Sequence, residues 1–198
     1  MAESIEVDGD YDGVIVSDET YSGVAAGGSR FMECAITGVN FDDVSLRKSR
    51  LSDVWLGDTR LVAVDLAECS LLDTWLNGCV LAGVQAFSAQ LRRVTFRNCK
   101  LDSVNFRDAT FTDVTFEDCV LRDPDFGGAR LTRVRFPGSS LAGAAFSKAT
   151  CSSVDLRGAT VAIASGYESL RGVTIDSTQL IALAPLLAHH LGIAVKDA

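Results

Sequence analysis

The sequence is poor in the features that place most proteins quickly. Its 198 residues include only 3 prolines, too few for a low-complexity linker. No apolar run reaches the roughly 18 residues of a membrane span, and the start, MAESIEVDGD, lacks the charged-then-apolar layout of a secretory signal. No membrane contact is therefore expected. Residues 1–29 hold seven acids (Glu3, Glu6, Asp8, Asp10, Asp12, Asp18, Glu19) and no Lys or Arg. A formal charge of -8 argues against direct nucleic-acid binding, which needs a basic footprint. With no secretory route in view, the six cysteines are expected as reduced thiols in the cytoplasm. Signatures of catalysis are missing as well. There is no Gly-rich phosphate loop, Gly-x-Ser-x-Gly elbow or Cys-x-x-Cys pair. The two histidines, His189 and His190, are adjacent and would point about 100° apart on a helix, sharing no ligand face. Neither catalysis, a cofactor nor a metal is expected.

What is present is a repeat. Apolar residues make up 47% of the chain, enough for one folded domain. Every fifth residue from Phe31 to Val161 is apolar, and 23 of these 27 positions are Leu or Phe. The register extends weakly back through Ala26, Tyr21, Val16 and Tyr11. A period of five fits neither helix nor strand; it needs a chain that turns a corner at every pentad. Two residues before each large one stands a small or β-branched one, such as Val44, Ser49, Val54, Thr59 and Val64. One large and one small inward side chain per pentad suits the inside of a narrow solenoid.

The number of sides follows from a super-period. Pentads with Val and Phe (Val94/Phe96, Val104/Phe106, Val114/Phe116) alternate with pentads carrying a smaller residue and Leu (Cys99/Leu101, Cys119/Leu121, Ala129/Leu131), with Phe111 an exception. Like stacks on like only if a coil has an even number of sides. Four sides of one pentad each, a 20-residue coil, is the simplest solution, with coils spaced about 4.8 Å apart.

The segments Val-Asn-Phe-Asp-Asp (39–43), Val-Asp-Leu-Ala-Glu (64–68), Val-Asn-Phe-Arg-Asp (104–108) and Val-Asp-Leu-Arg-Gly (154–158) resemble the motif of the pentapeptide-repeat proteins. The resemblance covers about three quarters of the chain. It implies an all-β fold, a right-handed quadrilateral β-helix, over residues 11–161, after an acidic lead-in at 1–10 and before a terminal segment at 162–198. No insertion breaks the register, so the projecting loops of some quinolone-resistance members are absent. Pro124, inside Asp123-Pro124-Asp125, stands at an inward small position without a backbone donor, and predicts a local distortion.

After Asp176 the period becomes helical. Leu180, Leu183, Ala184, Leu187 and Leu191 fall on one face, with a capping box at Asp176 and Gln179 and a stop at Gly192. Pro185 predicts a kink or two short helices. The segment reads as an intramolecular cap for the solenoid end. Related proteins also dimerise through such helices, which implies a homodimer using Leu180, Leu183, Leu187, Leu191 and Ile193.

Folded onto a 20-residue coil, Glu33, Asp53, Asp73 and Asp113 make one column, interrupted by Arg93 and continued by Arg133. Asp18, Asp58 and Asp118 make a second. The interleaved arginines favour a plain solvated surface over a charge device. Trp55 and Trp75, also 20 apart, occupy outward positions; they are either interface anchors or covers for a corner of the backbone. Cys79, Cys99 and Cys119 should stack as buried small hydrophobes. The resemblance implies a DNA-mimicking protein that engages DNA gyrase or topoisomerase IV, type II topoisomerases, and inhibits the enzyme or protects it from fluoroquinolones or toxins. The alternative is a scaffold for another protein using the Trp55/Trp75 surface.

Overall fold

The computed structural model describes residues 5–196, so Glu3 of the acidic lead-in lies outside the described residues. The chain winds through eight stacked coils as a quadrilateral β-helix, closed by one C-terminal helix. Each pentad contributes a corner and, on three of the sides, most contribute a short strand; strands one coil apart pair in parallel, as in Tyr11↔Phe31 and Phe31↔Leu51. The four sides are centred on inward residues 11, 16, 21 and 26 and on their equivalents in each later coil. The first two sides merge into one sheet, because Ser70–Asn77 and Gln90–Arg97 run as strands around the corner between them. The fourth side is held by single bridges, from Ala25↔Ser45 to Asp125↔Ala145. Among the described residues no helix is long and apolar enough to cross a membrane.

The super-period sorts the core. Phe96, Phe116 and Phe136 stack on the second side with centroids 4.6 and 5.0 Å apart. Phe106, Phe126 and Phe146 stack on the opposite side at 5.3 and 5.1 Å. Phe111, the exception to the alternation, enters from the first side and meets Phe106 and Phe126 edge-on, a favoured aromatic geometry.

Corners need a residue in the left-handed region two places after each large one. At this position Asp18, Glu33, Asp53, Asp58, Asp73, Asp113 and Asp118 all have φ between 47° and 56°. Asp and Asn tolerate that region better than other residues with a side chain. Inward small positions with a donor close the remaining polar groups. Thr59 donates to Ile36 and Gly57 carbonyls, and Cys99 to Leu76 and Arg97 carbonyls. Among the described residues, no buried side-chain nitrogen or oxygen lacks a partner.

Pro124 does not distort the coil. Asn105↔Asp125 and Asp125↔Ala145 keep the register, and the Pro124 carbonyl accepts from Ala145 at 3.0 Å. The coil-to-coil bonds here are donated by the residues on either side, Asp123 to Ala142 and Asp125 to Val104. A proline at this position therefore forfeits no donor from the ladder.

The terminal helix, α1 (Ser177–His190), continues through Pro185 as a single element. Pro185 and Ile181, four residues earlier, are both exposed, so water can take the carbonyl the proline leaves free. The capping box forms as expected: Gln179 N–H donates to Asp176 Oδ1, and Asp176 N–H to Gln179 Oε1, both at 2.9 Å. Gly192 ends the helix at φ 71°, with Ile193 N–H reaching back to the Ala188 carbonyl. The inward face differs from the expected one. Gln179 and Leu183 are buried and Leu187 half-buried, whereas Leu180, Ala184 and Leu191 face solvent and Ile193 lies exposed beyond the helix. The reason is Gln179: its amide donates to the Leu156 and Ala159 carbonyls of the last coil. That polar anchor sets the phase of the helix, and an apolar pattern does not register it.

Candidate functional site

The two acid columns are corner columns. Their residues line up because each coil needs a left-handed residue there, and the carboxylates project from the edges of the rod. In the first column, Arg93 Nε and Nη2 grip Asp73 in a fork, both at 2.6 Å. Arg133 does the same to Asp113 at 2.5 and 2.9 Å. The forks hold Asp73 and Asp113 below the usual carboxylate range. Two of the four acids in this column are thereby neutralised. Glu33 and Asp53 enter no salt bridge among the described residues. In the second column, Asp18, Asp58 and Asp118 each lay a carboxylate oxygen over the glycine one coil on, Gly38, Gly78 and Gly138.

Between these two corners lies the second side of the rod. Its outward positions stack in register as Ile15, Ala35, Trp55, Trp75, Thr95 and Thr115. Trp55 and Trp75 are each 43% exposed and Ile15 is 80% exposed. The Trp55 ring also serves the backbone: its Nε1 would stand 3.0 Å from a Cβ on Gly57, which is buried beneath it. So Trp55 covers its own strand and still offers nearly half its surface. In the segments 13–18, 33–38, 53–58 and 73–78 there is no Lys or Arg. The structure thus unites Trp55, Trp75, Asp53 and Asp58 on one face with Glu33 and Asp18 along its borders. It leaves Asp113 and Asp118 two coils and more beyond Trp75, beside the Arg133 fork and the Arg97–Glu117 pair. Sequence reasoning does not single out Ile15 and Ala35, although their spacing from Trp55, two coils and one coil respectively, is the signal that finds them.

Elsewhere the surface offers little chemistry. An open trough of about 490 Å³ is lined by Asp113, Thr115, Arg133, Arg135 and Asp155. Its carboxylates are already engaged, Asp113 by Arg133 and Asp155 by Arg157 at 2.7 Å. Among the described residues no group of His, Cys, Asp and Glu could hold a metal ion. Cys79, Cys99 and Cys119 stack in the core. A hydrogen bond to Cys99, and then burial, push Cys79 and Cys119 up. Burial pushes Cys69 up to about 12 and Cys151 up to about 11. These four thiols are not nucleophiles at neutral pH.

No curated protein sequence matches the chain. Among solved structures it is similar to HetL, a pentapeptide repeat protein involved in heterocyst differentiation regulation from the cyanobacterium Nostoc. The two share 17% identity over 86% of this chain and 90% of that one, with a TM-score of 0.54, a likeness of fold. It also matches QnrB1, a plasmid-mediated fluoroquinolone resistance protein, at 21% identity over 96% and 93% of the two chains, with a TM-score of 0.42. The family profile described as a pentapeptide repeat region matches residues 28–106 and 69–146, together more than half of the sequence. The chain belongs to the pentapeptide repeat proteins.

Proposed function

We propose that this chain is a non-enzymatic binding protein that engages a protein partner through the side of the rod carrying Trp55 and Trp75. The observation that supports this reading is the pair of register-matched indoles, each 43% exposed on a flat β surface. Large aromatic groups displayed together in this way are the usual anchors of an interface. A photo-cross-linking amino acid at Ala35, beside Trp55, should give an adduct in extracts of the host cell. The same group at Gln85, on the fourth side, should not. Trp55→Ala with Trp75→Ala should abolish the adduct; its persistence would rule the surface out.

A type II topoisomerase is the second reading. It is favoured by Glu33, Asp53, Asp18 and Asp58, which are free of salt bridges among the described residues and could face a basic DNA saddle. The Arg93 and Arg133 forks weaken it, because they interrupt the run of negative charge. Titrating the purified protein into gyrase, with and without ciprofloxacin, decides this reading. Inhibition or rescue at low micromolar concentration would support it, and no effect at tens of micromolar would remove it.

A further inference from the structure

We propose that the partner segment seated on this side is a basic amphipathic helix, whose apolar stripe covers Ile15, Ala35, Trp55 and Trp75 and whose Lys or Arg residues reach the carboxylates on both borders. The inference rests on the interaction surface proposed above and adds the chemistry of its occupant. Two observations carry it.

The first is charge. The four stacked segments 13–18, 33–38, 53–58 and 73–78 contain Asp18, Glu33, Asp53, Asp58 and Asp73 and no cation. Only Asp73 is engaged in a salt bridge among the described residues, by Arg93 from the next coil. In the coil of Trp55 the indole is flanked at both corners, by Asp53 and Asp58. An acidic or neutral partner would bury these carboxylates unpaired, whereas a basic one matches them on both borders.

The second is the backbone. On this side the coil-to-coil ladder is complete, with Trp55 N–H on Cys34 O, Trp75 on Val54 O, Gly38 on Gly57 O and Asp58 on Asn77 O, all at 2.9 Å. Between Ala35 and Trp75 no strand edge is open, so a peptide lying along the face across these coils cannot add as a strand and must bind through side chains. The apolar stripe runs along the rod axis for three coil spacings, about 14 Å, which is roughly the length of ten helical residues. A helix laying one face on a groove or stripe is the recognition mode that fits.

Trp55 and Trp75 are the only tryptophans in the chain, so tryptophan emission reports this face alone. The probe is a 14-residue helical peptide with a leucine stripe flanked by lysines and no aromatic residue. Controls are its Glu-for-Lys counterpart and a peptide of equal charge without the apolar stripe. The expected result is a saturable blue shift with the basic amphipathic peptide only. Asp53→Asn with Asp58→Asn should weaken it at least fivefold. Asparagine keeps the left-handed corners, so the fold survives this change. Asp65→Asn with Asp125→Asn, which removes the same charge from the fourth side, should leave it intact. Equal response to the acidic peptide, indifference to the Asp53/Asp58 change, or no shift up to about 500 μM would overturn the proposal. A shift that grows with protein concentration alone would overturn it in favour of a second copy. If the peptide fails while the Ala35 adduct persists, the surface stands and only its assigned occupant falls.

Discussion

At the scale of single residues, the acidic columns are explained by dihedral angle before they are explained by charge. The carboxylates fall at whole-coil intervals because a left-handed corner recurs once per coil, and Arg93 and Arg133 occupy the same corner as Asp73 and Asp113. Charge on the rod is therefore decided by which side chain fills each corner. The forks on Asp73 and Asp113 predict a pH dependence with a definite sign. Both carboxyls are held low by arginine, so their contribution is present above the ordinary carboxylate value of about 3.9 and is lost as pH falls through the lower folded value. Denaturant melts between pH 2 and 5 should show this loss, and Asp73→Asn with Asp113→Asn should flatten it. Gly166 makes a second test. Its φ is 87°, and a Cβ there would collide with the backbone of Phe146 and Ser147. Gly166→Ala should destabilise by about 3 kcal/mol or more, measured by urea unfolding. Phe126, fully buried and ringed by Phe106, Phe111, Phe136 and Phe146, should cost about 3–5 kcal/mol when cut to Ala.

At the scale of elements, the pentad pattern made the coil, its four sides and its core columns legible, because inward positions allow few residue types. The capping box at Asp176 and Gln179 was equally readable, being local. The helix face was not. A search for apolar spacing passes over Gln179, yet its amide does what a backbone partner would do for the Leu156 and Ala159 carbonyls at the solenoid end. Gln179→Glu keeps the acceptor but loses these two donors, and buries a carboxylate beside carbonyls. Hydrogen exchange should show α1 and the last coil opening together in this variant, while the second to sixth coils keep their protection. If α1 stays as protected as in the parent chain, Gln179 is not the latch. Pro124 is the converse case. It reads as a breaker, but the coil-to-coil bonds are donated by its neighbours, a detail of hydrogen bonding that composition does not carry. The acidic face was legible only in part: the tryptophans and columns were visible, but which acids are gripped by arginine depends on side-chain reach from one coil to the next.

At the scale of the whole molecule, the two ends differ. The last coil is covered by α1, while the first-coil strands Asp10–Asp12, Ile15–Ser17 and Thr20–Ser22 pair on one side only among the described residues. Such an edge is a template for a second chain, and Asp8, Asp10, Asp12, Asp18 and Glu19 surround it; among the described residues the only salt bridge to these acids is Arg30 to Asp10, at 3.4 Å. Neutralising Asp10, Asp12, Asp18 and Glu19 as amides should produce concentration-dependent end-to-end association in sedimentation velocity, and the parent chain at high salt should show a weaker form of it. An unchanged sedimentation coefficient would remove charge repulsion as the guard. At the other end Leu180, Ile181, Leu191 and Ile193 are exposed. A homodimer contact at this end is tested by Leu180→Glu with Leu191→Glu, which should turn a dimer into a monomer in sedimentation velocity while leaving the melting temperature of the solenoid unchanged; a parent chain that already sediments as a monomer would remove the contact.

A rod whose coils are 20 residues long up to Val161, with the last pairing at 19 (Val154↔Val173), also counts. Removing one whole coil, for instance 60–79, shortens it and leaves every remaining side chain on its side. Removing half a coil, for instance 60–69, preserves the alternation of Val and small-residue pentads and so a packable interior. It would nevertheless swing Trp75 halfway around the axis, to the side opposite Trp55. The interior cannot tell a whole coil from a half, but a partner reading the outside can. Angular position, in this molecule, is a matter of arithmetic along the chain.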